Sequence, residues 1–114
     1  MTTFAKDREK GFEAKFSHDQ EMDFKVTSRR NKLLGLWAAE QLGLEGSAAE
    51  HYARDVVEAD FQEPGDADVV RKILGDFSLK GRTLSEHSLR LEMDRLFGEA
   101  RLQIAAEASA KEEK

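Results

Sequence analysis

The sequence predicts an all-α protein, an antiparallel four-helix bundle preceded by a mobile N-terminal segment. Two observations carry that prediction. Ala, Glu, Lys, Leu and Arg make up about half of the 114 residues, while Val, Ile and Thr are scarce. Straight side chains lose little rotamer freedom on a helix, whereas β-branched ones suit a pleated strand. Turn signals then divide the chain: a soft one in "FSHD" at 16–19, "GLEGS" at 43–47, "EPGD" at 63–66 with the only proline, and "KGRTLS" at 80–85. Four amphipathic pieces with connections of a few residues fold most simply as neighbouring antiparallel helices.

The first sixteen residues fit that plan least. In "TTFAKDREKGFEAKF" (2–16), Phe12 and Phe16 are helical neighbours with Ala5 close to their stripe, but Phe4 falls well off it. That stripe is too narrow for a core helix. "SHDQ" at 17–20 offers a capping box, so the bundle's first helix is expected to begin near Asp19 without what precedes it. The expected organisation is a mobile segment over 1–18, the bundle over 19–106 and a frayed charged tail over 107–114.

In the first helix Met22, Val26, Leu33 and Trp37 share one stripe, and "LLGLWAA" is apolar almost all round, which predicts the most buried part of the chain. Ser47 and Glu50 in "SAAE" form a second capping box, opening a helix with Ala49, Tyr52, Ala53 and Val56 on one face. That helix stops before Pro64, since proline pushes the residue before it out of the α region. The third helix, opening near Asp66, carries Val69, Val70, Ile73, Leu74 and Phe77 and ends at Gly81. The fourth opens at Ser85, with Leu84 and Leu89 spaced as a hydrophobic staple, and continues through Met93, Leu96, Ala100 and Ile104. Beyond about Ala106 nothing is left to bury, which predicts fraying.

Several function classes are disfavoured by composition. Without cysteine there is neither a disulfide framework nor a thiolate nucleophile, which fits a reducing compartment. The N-terminus lacks the apolar run of a secretory signal, and no stretch approaches the ~20 apolar residues of a membrane span. A net charge of −5 with both signs interspersed argues against nucleic acid. The dense basic cluster Arg29, Arg30 and Lys32 reads first as a solvated helix face and second as a phosphate contact.

No catalytic or metal-binding constellation emerges. His18, His51 and His87 lie in different segments, and none has a Glu three residues before it as di-iron bundles require. They fit a helix start, a surface and a first turn. "GDFSLKGRT" departs from a phosphate loop in spacing, in Arg for Lys and in its preceding helix. Trp37, Tyr52, Phe61 and Phe77 fall on faces expected to pack. What remains unexplained is the N-terminal phenylalanines and "RRNK".

At "SRRNKLLGLWAAEQLGL" the chain resembles the zeta subunit of alphaproteobacterial F-type ATP synthases, a small all-helical family whose better-studied members inhibit ATP hydrolysis. The likeness extends through "FEAKFSHDQEMDFK", "YARDVVEADFQEPGDADVVRK" and "SEHSLRLEMDRL", in the same order and at similar spacing. It implies a regulatory inhibitor rather than an enzyme. The mobile N-terminal segment would become helical on wedging into the catalytic head of the synthase, between catalytic subunits and beside the rotating shaft. By that resemblance Phe4, Arg8, Phe12, Lys15 and Phe16 meet the partner, which supplies the pocket those phenylalanines lack.

The resemblance also implies a cytoplasmic protein, peripheral to the inner membrane through the synthase and monomeric when free, with no cofactor of its own. An alternative is a helical regulatory module that binds ADP or ATP, with Arg29, Arg30 and Lys32 as the nucleotide contacts. A sixteen-residue helix is too short to be stable alone in water, and Gly11 raises its cost by roughly 1 kcal/mol relative to alanine.

Overall fold

In a computed structural model the chain forms α1 (Thr2–Gln41), α2 (Gly46–Ala59), α3 (Ala67–Leu79) and α4 (Glu86–Glu112). The structure describes the backbone of residues 2–61 and 65–112 and the side chains of residues 19–61 and 65–111. The side chains of Phe4, Arg8, Phe12, Lys15, Phe16 and His18, and with them the expected mobility of residues 1–18, fall outside the described residues.

Two helices end where glycine lets the backbone reverse. After α1, Gly43 takes φ +80°. The Leu44 amide then donates to the Ala39 carbonyl at 2.8 Å and the Gly43 amide to Glu40 at 3.1 Å. Gly81 repeats the device after α3, at φ +70°. There the Arg82 amide donates to Phe77 at 2.9 Å and the Gly81 amide to Ser78 at 3.0 Å. Both are Schellman closures, which satisfy carbonyls that a helix end would otherwise leave orphaned.

Ser85 caps α4 as expected, its hydroxyl accepting the Ser88 amide at 3.0 Å. Leu89 is fully buried, and Leu84 packs against the same core. The expected cap at Ser47 does not form. Gly46, at φ +57°, makes the turn into α2, and no side-chain hydrogen bond caps that helix. The box at "SHDQ" is not a helix start either, because α1 runs through it without interruption. A capping pattern inside a continuous helix leaves its amides to the preceding turn, and nothing at 17–20 forces a break.

The main core brings together Leu34, Ala38, Ala39 and Leu42 of α1, Tyr52 and Val56 of α2, Val69, Val70, Ile73 and Phe77 of α3, and Leu89, Met93 and Leu96 of α4. Trp37 is only half-buried and stacks on Phe77 with ring centroids 6.1 Å apart. "LLGLWAA" is thus buried on the side formed by Leu34, Ala38 and Ala39, while Leu33, Leu36 and Trp37 keep part of their surface in solvent. Phe61 departs further from expectation: it is 64% exposed, with the ring of Phe24 5.9 Å away centroid to centroid.

A second, smaller core joins α1 to α4 alone, through Val26, Ala100 and Ile104 with Met22, Leu33 and Phe97 beside them. The pairing is antiparallel: Arg30 lies over Phe97, and Arg29, one residue earlier, reaches Gln103 and Glu107. The helix α4 itself runs as far as Glu112. Ile104 is buried against α1 as its place on the apolar face predicts, and Glu107 has a cationic partner there that the sequence pattern did not reveal.

Candidate functional site

Arg30 occupies the middle of the long helix, between Val26 and Leu34 on the buried stripe, and is itself only 5% exposed. A guanidinium taken from water must find partners. Its Nη2 donates to Asp66 Oδ1 at 2.6 Å and its Nε to Asn31 Oδ1 at 2.9 Å. Its charge also lies 6.0 Å from the centroid of the Phe97 ring. The solvated face expected for this basic cluster is therefore wrong for Arg30. The spacing 26, 30, 33, 34, 37 already places residue 30 on the apolar stripe, a signal obscured by its charge.

Around Arg30 the turn from α2 into α3 supplies three carboxylates. Asp66, at the N-cap of α3, makes no cap hydrogen bond with its side chain and gives an oxygen to Arg30 instead. Asp68 is buried; its Oδ1 accepts from Arg71 at 3.0 Å, while Oδ2 has no hydrogen-bond partner among the described residues. The Asp60 carboxyl is raised from its ordinary value, chiefly by burial. A hydrogen bond from Asn31 and the charge of Arg30 oppose that rise, while Asp66 and Asp68 add to it. Asn31, 1% exposed, accepts from Arg30 Nε through its Oδ1. None of these acidic partners was singled out by the sequence, where Asp66 marked only a helix start.

Arg29 and Lys32 have different surroundings. Arg29 donates from Nη1 to Gln103 Oε1 at 2.8 Å and from Nη2 to Glu107 Oε1 at 2.7 Å, fastening α4 to α1. Lys32 is exposed and borders two grooves. The larger, about 630 Å³, runs between α1 and the last turns of α4 and touches α2 at Val57. The cluster that looked like one patch is therefore divided into a buried lock, an interhelical tie and a surface cation.

Elsewhere the polar groups hold helices together. The Tyr52 hydroxyl donates to Asp76 Oδ2 at 2.8 Å, and Lys72 reaches the same oxygen at 3.1 Å while lying 4.9 Å from the Tyr52 ring centroid. Burial and that hydrogen bond to a carboxylate push the Tyr52 hydroxyl up, so it stays a donor at any physiological pH. His51 and His87 are exposed. Among the described residues no group of three or more His, Cys, Asp or Glu is placed to hold a metal ion, and no helix is long and apolar enough to cross a membrane.

The described residues thus form a small helical bundle whose charged groups serve as locks and ties. Residues 1–103 match the family described as ATPase inhibitor subunit zeta, and the chain belongs to that family. Its role is accordingly that of a regulatory subunit. Four solved chains match it. One, a protein whose solution structure was determined by NMR, is 46% identical with a TM-score of 0.67, covering 75% of this chain and 98% of its own. No curated protein matches.

Proposed function

We propose that this chain inhibits ATP hydrolysis by an F-type ATP synthase. Its N-terminal segment, residues 1–18, enters the catalytic head as a helix and blocks rotation mechanically, while residues 19–106 act as a monomeric anchor. The observation that carries this is the distribution of apolar side chains. In the sequence three phenylalanines stand among the first sixteen residues, and the stripe that Phe12 and Phe16 share is too narrow for a core helix. Two or three Phe side chains buried by a partner contribute ~1.5–3 kcal/mol each, which offsets part of the ordering cost of the segment. Membership of an inhibitor family agrees with it.

The alternative, an adenine-nucleotide module built on Arg29, Arg30 and Lys32, is less well supported, because both arginines are committed to partners within the chain. The deciding experiment is ATPase activity of the synthase from the same source with the full chain and with a chain lacking residues 1–16. The full chain is expected to inhibit and the truncated one to lose inhibition while keeping its melting transition. A truncated chain that inhibits as strongly as the full one would move the inhibitory surface onto the bundle and sink the proposal.

A further inference from the structure

The groove between α1 and the end of α4 is unlike the rest of this acidic protein. Its lining contributes four cations, Lys25, Arg29, Lys32 and Lys111, against one carboxylate, Glu107, in a chain of net charge −5. Glu107 is already paired with Arg29. Among the described residues Lys25 has only the exposed Glu21 one turn away on its own helix, at 3.6 Å, and exposed pairs of that kind hold weakly. Lys32 has no ion-pair partner among the described residues.

Between these cations the floor is apolar. Met22 and Ile104 belong to the small second core, and Phe24 stands at the rim 56% exposed, with Phe61 against it. Among the described residues α1 and α4 build that second core, and α2 reaches the groove through Val57. The lining positions 22, 25, 29 and 32 recur every three or four residues and extend for ~15 Å of helix. Such a shape takes ridges of a neighbouring helix more readily than a compact anion. The backbone here is helix interior with its amides already bonded, so a phosphate would find no free amide donors of the kind a helix N-terminus offers.

We infer that this groove is a second docking surface, which receives an acidic amphipathic helix of a protein partner. Apolar residues of that helix lie on Met22 and Ile104, and its flanking Glu or Asp side chains pair with Lys25, Lys32 and Lys111.

The test titrates the full-length labelled chain with a synthetic amphipathic peptide of Leu on one face and Glu on its flanks, alongside the same peptide with Lys in place of Glu. The acidic peptide is expected to give saturable shifts at amides of residues 22–32 and 104–111, weakening as salt is raised, and the Lys peptide to give none. Lys25→Glu with Lys32→Glu should weaken binding at least about tenfold with the thermal melt unchanged, since both side chains are exposed. Lys25→Gln with Lys32→Gln, a milder pair, should weaken it in the same direction. Equal binding of both peptides, shifts confined to other surfaces, or full affinity in the Gln pair would overturn the inference. So would ATP or anionic phosphatidylglycerol vesicles moving these amides where the acidic peptide does not. No ATPase enters the measurement, so its outcome is separate from that of the truncation.

Discussion

Gly35 of α1 lies so close to Ala53 of α2 that a Cβ on Gly35 would stand 2.5 Å from the Ala53 Cα and 3.1 Å from its Cβ. Two helix backbones meet there with no side chain between them. Gly35→Ala should therefore destabilise the fold, even though alanine favours helix by ~1 kcal/mol in an open position. Separating the helices costs on the order of 1–3 kcal/mol beyond that gain, since well-packed cores resist an added methyl. Because the nearer contact is with backbone, Ala53→Gly should restore little. Urea denaturation of the single and double variants measures this, and a Gly35→Ala protein as stable as the parent would refute the close approach.

The lock between Arg30 and Asp66 should respond asymmetrically to mutation. Asp66→Ala leaves a buried guanidinium without its carboxylate and should cost ~1–3 kcal/mol, whereas Arg30→Met keeps an apolar stem on the core and leaves a half-exposed carboxylate that water can serve. Equal losses in the two variants, measured by chemical denaturation, would mean that the pair is no more than a surface contact.

Asp60 gives the fold a pH dependence of known sign. Its carboxyl is raised above the ordinary value of 3.8, so the folded protein holds that proton longer than the unfolded chain. The stability linked to it is fully present below the ordinary value and is lost as pH rises through the raised one. Asp60→Asn removes the charge while its side-chain carbonyl can still accept from Asn31. The difference in melting temperature between variant and parent should be near zero well below the ordinary value and positive at neutral pH. A difference that does not change with pH would contradict the assignment.

The proposed wedge has a quantitative counterpart in the first helix. Phe12→Ala with Phe16→Ala keeps helix propensity and charge but removes up to ~3–6 kcal/mol of burial in the complex, so inhibition should weaken at least about tenfold. Gly11→Ala should instead strengthen it by up to ~1 kcal/mol if helix formation is coupled to binding. ATPase titrations with each variant measure both effects, and unchanged inhibition by the double variant would exclude the phenylalanines as anchors.

Local spacing of apolar residues was enough to locate the helices and most of the core. Hydrophobic spacing is local, so Val56, Ile73, Phe77, Leu89 and Met93 were legible before any contact was known, as were the glycine stop at Gly81 and the cap at Ser85. Only tertiary structure decided what the charged residues do. Arg30 is buried because Asp66, thirty-six positions away, comes back to meet it, and Arg29 is held because Glu107 of α4 lies beside it. Phe61 was expected on a packing face yet lies in the turn after α2, 64% exposed. Periodicity states which face a residue occupies; whether that face is covered, and by what charge, depends on partners distant in the chain.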